Sequence, residues 1–297
     1  MRVSRRRRST WSLTFAICRA ISRRRLCRQI APGRWFTAVL PATHTTRCLS
    51  SPLTAVLGVL LAFASIHDAP AAWAVVQTAS EKTALAEHRT IDLDNNGAKA
   101  TLHLALFSPA TATLRLIDNP RGANDLASAL QQRNGVGGVN GGYFDPQFAP
   151  IGLRVIDGLT TSRLTRARLL TGVLFAAGKR IDVVRLPEFA RIRHAEAAVE
   201  CGPFLVEHGA AVRGLDDTRP ARRTFAALLD EGKPALGVCS DVTLAELAAI
   251  LPRAKATHAL NLDGGSSSAF WFRRADGSVF EIGAQKAVRD FIAVVPR

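Results

Sequence analysis

Apolar and polar residues alternate with a period of two through most of the chain beyond residue 87. His88-Arg89-Thr90-Ile91-Asp92-Leu93 alternates, as do residues 99–106, and Asn95-Asn96-Gly97 lies between them. Two alternating runs about an Asn-Gly turn predict a hairpin. His103 falls between leucines, which predicts a solvent-facing strand position. Residues 111–117 (TATLRLI) read as a third strand. Residues 125–133 (DLASALQQR) change to helical spacing, with Asn124 or Asp125 as N-cap. Residues 136–140 return to a strand and end in Asn140-Gly141-Gly142. Residues 150–156 form the next strand, with an Asp157-Gly158 turn, and the basic stretch 159–170 reads as a surface loop. Residues 171–177 and 181–186 predict a hairpin about Gly178-Lys179. Residues 196–200 lead into a strand entered at Pro203. A second hairpin joins 224–229 to 234–238 through Asp230-Glu231-Gly232-Lys233. Thr243 and Glu246 form a capping box that opens a helix reaching about residue 251, where Pro252 stops it. Residues 259–262 are a buried strand, 269–272 and 279–282 a hairpin, and 291–295 the final strand. Strands dominate and most neighbours are hairpin-linked. The pattern predicts an α+β fold of mainly antiparallel β-sheets with a few packed helices. It is placed in one domain over residues 88–297, preceded by a linker at 75–87.

The basic charge belongs mostly to the first part of the chain. The formal charge is +15, and residues 1–47 hold twelve arginines and no acidic residue. Only +4 remains on residues 75–297. A nucleic-acid partner is therefore not expected for the domain. Residues 53–64 (LTAVLGVLLAFA) are apolar but too short for a stable membrane span. Arg47 precedes them and Ala72-Trp73-Ala74 follows, a small-x-small pattern. Residues 48–74 therefore read as an export signal cut after Ala74, which makes the protein periplasmic or secreted. An uncleaved anchor or a buried helix is the other reading. The basic head, residues 1–47, is far longer than a normal signal n-region, and Met1 is the only methionine. We expect translation to begin downstream of it, at a non-ATG codon. Cys201 and Cys239 fall in the domain and either pair or remain as two buried thiols.

Candidate chemistry gathers at two strand ends. Asn261-Leu262-Asp263-Gly264-Gly265-Ser266-Ser267 brings a carboxylate to the point where a buried strand gives way to a flexible polar loop. Asn140-Gly141-Gly142-Tyr143 does the same with an amide, and its glycines imply that something approaches the backbone closely. Tyr143, the single tyrosine, either stacks on a sugar or is buried with its hydroxyl bonded. Residues 219–224 (RPARRT) concentrate arginines, whose forks suit phosphate. Carboxylates serve glycosyl transfer, and glycine-rich loops present N–H groups to anions. The set suits a ligand with both sugar and phosphate. Taken without further context, turns and surface ion pairs account for the same residues. No metal-binding, phosphate-loop or nucleophile-elbow motif is present, so no metal is assigned.

In order and spacing, Asn140-Gly141-Gly142-Tyr143-Phe144, Cys201-Gly202-Pro203-Phe204, Arg223-Thr224 and Leu260-Asn261-Leu262-Asp263-Gly264-Gly265 resemble the phosphodiester glycosidase family. The Thr243–Glu246 helix start and Arg289 before the last strand fit the same layout. The resemblance implies hydrolysis of a sugar C1–O–phosphate bond to free sugar and phosphomonoester. It implies Asp263 as nucleophile or base, with Asp145 as the second carboxylate. Arg223 and, secondarily, Arg289 would hold the phosphate, and Asn140 with the Gly141 and Gly142 amides would orient oxygens. Tyr143, Thr224, Asn261, Gly264, Gly265, Ser266 and Ser267 would complete the substrate site. Ser266 stands where the family carries a third glycine, and Phe225 to Leu228 fill a stretch where it carries a small residue and a glycine. The expected partner is a sugar phosphate or phosphoglycan. No cofactor is assigned, and a divalent cation and the oligomeric state are left open. A cell-envelope module that binds phosphoglycan without turnover is the alternative.

Overall fold

The computed structural model describes residues 72–297. The basic head, the apolar run and nearly all of the expected export signal lie outside the described residues. In chain order the elements begin β1 (Ala74–Lys82), β2 (Ala86–Asn95), β3 (Ala98–Phe107), β4 (Ala112–Asp118), helix α1 (Leu126–Gln131) and β5 (Gly137–Asn140). They continue with β6 (Arg154–Ile156), β7 (Leu159–Ser162), β8 (Gly172–Ala177), β9 (Arg180–Arg185), helix α2 (Leu186–Phe189) and β10 (Ala197–Cys201). The last group is β11 (Phe204–Glu207), β12 (Ala210–Ala211), β13 (Ala221–Leu229), β14 (Lys233–Val242), helix α3 (Leu244–Ile250), β15 (Ala256–Asn261), β16 (Phe270–Arg273), β17 (Val279–Ile282) and β18 (Asp290–Pro296).

These strands form three sheets, ordered β1-β2-β3-β14-β13-β15-β11-β12, β7-β6-β10-β8-β9 and β17-β16-β5-β18-β4. Pairing is antiparallel, as the hairpin signals predict. The β2–β3 turn carries Asn96 and Gly97 at positive φ, the conformation that the Asn-Gly pair supplies with little strain. Helices are so few and short that the molecule is mostly β.

Alternation along the strands fixes the layering. On β18, Ile292 and Val294 enter a central core shared by all three sheets, while Phe291, Ala293 and Val295 face outward onto α1. On β13, Ala226 joins the central core, and Phe225, Ala227 and Leu229 join the layer under α3. The β7-β6-β10-β8-β9 sheet covers its outer face with α2 through Leu186 and Phe189. Each sheet thus buries one face in common and gives the other to one helix. A strand needs period-two alternation to serve two apolar layers at once. Helix α3 starts as predicted: Thr243 Oγ1 accepts from Glu246 N (3.1 Å), and Thr243 N donates to Glu246 Oε2 (2.8 Å).

Three expectations need correction. Residues 75–87 are not a linker, because 74–82 form β1, paired along its length with β2. Every β1 residue is exposed. An uncovered edge strand is held by its ladder alone and needs no apolar alternation, which hid it in the sequence. The preceding Trp73 is 5% exposed and packs in the layer under α3. Residues 159–162 are a strand, β7, and only the rest of 159–170 is loop. His103 does not face solvent: its ring centroid lies 5.5 Å from that of His88 and 4.7 Å from that of Phe280. Its face of β3 is covered by the β16–β17 hairpin, a contact between sheets that periodicity within one strand cannot show. Burial holds both imidazoles below the ordinary histidine value, His88 at about 4.

Cys201 and Cys239 are both free and buried. Burial pushes the Cys201 thiol up to about 12 and raises Cys239 as well, so both are inert thiols. No helix among the described residues is long and apolar enough to cross a membrane.

Candidate active site

Strands β5, β13 and β15 come from two sheets, and their ends meet at Asn140. Its carboxamide is fully buried, and both its oxygen and its nitrogen are hydrogen-bonded. Oδ1 accepts from Thr224 Oγ1 (2.8 Å) and from Ala269 N (3.0 Å), and Nδ2 donates to Asp263 O (2.7 Å). Asp263 N in turn donates to Gly141 O (3.2 Å), and Leu262 N to Thr224 O (2.9 Å). Asn140 therefore ties its own strand to β13 and to both sides of the Asp-Gly-Gly-Ser loop. A buried amide bonded at both its polar atoms fixes geometry more than it binds ligand.

The Asp263 side chain is held differently. It is half-buried, and its Oδ1 accepts from the neighbouring Gly264 N (3.0 Å). Burial raises its pKa above the ordinary carboxylate value, and the charge of Asp290 adds to the rise. The Ser267 hydroxyl, the Lys286 ammonium and the Gly264 amide oppose it. Ser267 Oγ lies beside the carboxyl yet completes no hydrogen bond of normal geometry with any described group. Gly265 adopts φ +62 in open space, and Ser266 O accepts from Gln285 N (2.8 Å). That bond ties the loop to one wall of a cleft of about 530 Å³, lined among others by Asn124, Glu281, Gln285 and Lys286. Lys286 Nζ also lies 5.1 Å from the centre of the Phe144 ring.

Arg223 shares this neighbourhood. Its Nε donates to Val242 O (3.0 Å) and its Nη2 to Arg219 O, which fix the guanidinium and leave further N–H groups of the fork without a described partner. Tyr143 takes the buried alternative. Its hydroxyl donates to Gly202 O (2.6 Å) and accepts from Asn261 Nδ2 (2.8 Å). Burial, with Cys201 and Asp263 nearby, lifts its pKa well above the ordinary tyrosine value, so it stays protonated. Asn261 Oδ1 is buried with no described donor.

Two expected site residues have their described side-chain partners outside the Asp263 cluster. Asp145 closes its own turn, accepting from Ala149 N (2.8 Å), and touches no member of the Asp263 cluster among the described residues. The bond closes a local turn that spans Asp145 to Ala149. Arg289, just before β18, pairs with Asp118 at the end of the adjacent β4. The residue after it is the one that reaches the site.

That residue, Asp290, is the carboxylate the sequence reading missed. It is 2% exposed, accepts from Gly142 N through Oδ1 (2.8 Å) and from Arg154 Nε through Oδ2 (2.7 Å), and its carbonyl accepts from Gly141 N (2.8 Å). Arg154, also 2% exposed, donates onward to Leu153 O (2.9 Å) and Tyr143 O (3.0 Å). This pair explains the glycines of the first loop. A Cβ on Gly141 would collide with Asp290 Oδ1, and one on Gly142 with the Arg154 guanidinium. The available signal was a lone arginine inside the apolar strand 150–156, since unpaired charges are almost never fully buried. Among the described residues, no group of three or more His, Cys, Asp or Glu side chains is placed to hold a metal.

The sequence profile described as phosphodiester glycosidase matches residues 133–295, more than half of the chain. The chain belongs to the phosphodiester glycosidase family. The catalytic domain of zebrafish N-acetylglucosamine-1-phosphodiester α-N-acetylglucosaminidase, auto-inhibited by its pro-peptide, superposes with a TM-score of 0.57 at 16% identity. The match covers 75% of this chain and 89% of that one. A hypothetical protein from Synechocystis gives a TM-score of 0.54 at 15% identity, covering 77% of this chain and 64% of that one. At such identities the likeness concerns the fold. The uncharacterized Escherichia coli protein YigE is 33% identical over 78 residues, which span 24% of this chain and 31% of YigE.

Proposed function

We propose that this protein is an exported glycosidase that hydrolyses a sugar-1-phosphodiester to free sugar and a phosphomonoester. One observation carries the reading. Asn140 on β5, Thr224 on β13 and Asp263 in the loop after β15 are joined by hydrogen bonds through the buried Asn140 amide, and among the described residues the Asp263 carboxylate is bonded only by the neighbouring Gly264 N. In the reaction, Asp263 either attacks the anomeric carbon, forming a glycosyl ester that water then hydrolyses to free sugar, or deprotonates a water that attacks it; in both cases the C1–O bond breaks and the phosphomonoester leaves with the electron pair. A phosphate leaving group carries its own charge, so it needs less protonation than a sugar alcohol and more electrostatic support. The open side of the Arg223 fork supplies that support. The zebrafish relative is named for an N-acetylglucosamine-1-phosphodiester, which makes that class of linkage the first to test.

A second reading has its own observation. Asp145 lies in a separate turn and Asp290 is locked to Arg154, so one carboxylate stands where glycosidases use two. A phosphoglycan-binding module needs no second carboxylate. The two readings separate on purified protein incubated with N-acetylglucosamine-1-phosphodiester probes. Release of N-acetylglucosamine with an equal amount of phosphomonoester supports the enzyme. Saturable binding without release supports the module. Export is tested by N-terminal sequencing of the protein recovered from the cell envelope.

A further inference from the structure

The segment 151–169 carries a surface that the proposed chemistry does not use. Four exposed aliphatic side chains fall in it: Ile151 at 37%, Leu159 at 71%, Leu164 at 38% and Leu169 at 52%. Three exposed arginines, Arg163, Arg166 and Arg168, are interleaved with them, and residues 158–170 contain no acidic residue. Among the described residues none of these guanidinium groups pairs with a carboxylate. One exposed leucine needs no explanation. A cluster of them edged by charge of one sign marks an interaction surface.

The backbone holds this surface together. Glu200 is fully buried, and its Oε2 accepts from both Leu153 N (2.8 Å) and Thr165 N (2.9 Å). One oxygen thereby joins the chain beside Ile151 to the chain beside Leu164. A Cβ on Gly202 would collide with Leu169 O, so Leu169 is drawn against the same knot. Leu159 stands further out, just past the β6–β7 turn. Ile151 N donates to Tyr143 O (2.8 Å), which sets the surface at the border of the candidate active site.

We propose that residues 151–169 dock onto an anionic lipid bilayer, with the leucines entering the acyl boundary and the arginines meeting headgroup phosphates. Charge and shape select this occupant. Guanidinium forks pair with phosphate oxygens, and juxtamembrane basic clusters are drawn to anionic leaflets. A soluble polyanion would satisfy the arginines and leave the leucines in water. A protein partner is the weaker match, because the segment has no Trp, Tyr or Phe, the aromatic anchors typical of such interfaces.

Hydrogen exchange read by mass spectrometry on the full chain tests this locally, apart from any membrane binding by residues 1–71. The comparison uses phosphatidylglycerol–phosphatidylcholine vesicles, pure phosphatidylcholine vesicles and soluble polyphosphate. The amides of 159–169 are expected to slow by about tenfold on the anionic vesicles alone. In Arg163→Gln/Arg166→Gln/Arg168→Gln that slowing disappears, and in Leu164→Ser/Leu169→Ser it is reduced, while peptides from β13 to β15 keep their exchange in both. No slowing on anionic vesicles overturns the proposal. So does equal slowing with polyphosphate, which indicates a polyanion site, and so does slowing that survives the arginine substitutions.

Discussion

Asn140-Gly141-Gly142 and Asp263-Gly264-Gly265 read almost alike, each closing a buried strand with a polar residue and two glycines. Their surroundings are opposite. At the first, every polar atom of Asn140 is bonded, and the glycines are pressed against the Arg154–Asp290 pair. At the second, the carboxylate keeps only its neighbour's amide, and Gly265 has nothing within 4 Å of where a Cβ would sit. Glycine in the first loop makes room for other atoms, whereas in the second it lets the chain turn. The first loop is scaffold, and the second leaves its carboxylate available for the proposed chemistry. Similar motifs do not imply similar duties, and what separates them is the identity of the nearest buried charge.

Substitutions can break this contrast, and the largest effect belongs to the scaffold. Asp290→Ala leaves Arg154 buried and uncompensated, which costs about 3–5 kcal/mol and shows as a lower denaturant midpoint. A milder loss of stability would mean the pair is not as dry as its 2% exposures indicate. Gly141→Ala forces the same pair apart from the backbone side and should cost about 1–3 kcal/mol or more. Gly265→Ala meets no steric obstacle but must hold φ +62, so about 1–2 kcal/mol is expected. The order Gly141 before Gly265 is the sharp point: equal costs would erase the distinction between the loops. Lys286→Gln removes a charge that lowers the Asp263 pKa. The acid limb of the pH–rate profile should therefore move up, by about a few tenths of a pH unit. An unmoved limb would show that Lys286 does not act on Asp263, and a downward shift would contradict the sign of its charge effect. Ser266→Gly is the smallest, within about 0.5 kcal/mol in stability, with its effect read in KM.

Much of the frame was legible from residues alone. The Asn-Gly turn between β2 and β3, the capping box at Thr243 and the alternation on β13 and β18 are local signals, and local signals are what a single sequence holds. The recessed carboxylate at Asp263, the Arg223–Thr224 strand and the Asn140 amide were all legible as candidates. Their union through Asn140 was not, because it depends on strands more than 80 residues apart meeting at one side chain. Asp145 and Arg289 came with the family resemblance; in the structure Asp145 closes a local turn and Arg289 pairs with Asp118, partners that the sequence does not display. β1 escaped notice because an edge strand exposed on both faces leaves no alternation to read.

The most direct test pairs two measurements on Asp263→Asn: release of free sugar from a sugar-1-phosphodiester, and the unfolding midpoint at neutral pH. Burial raises this carboxyl's pKa above its ordinary value of 3.8. Its favourable share of stability is therefore fully present below the unfolded-state pKa and is lost as pH rises through the folded-state value. At neutral pH the ionised group is a burden that asparagine removes. We predict that turnover falls by about a thousandfold or more while the midpoint stays the same or rises. Unchanged turnover in Asp263→Asn, with the fold intact, would contradict the account.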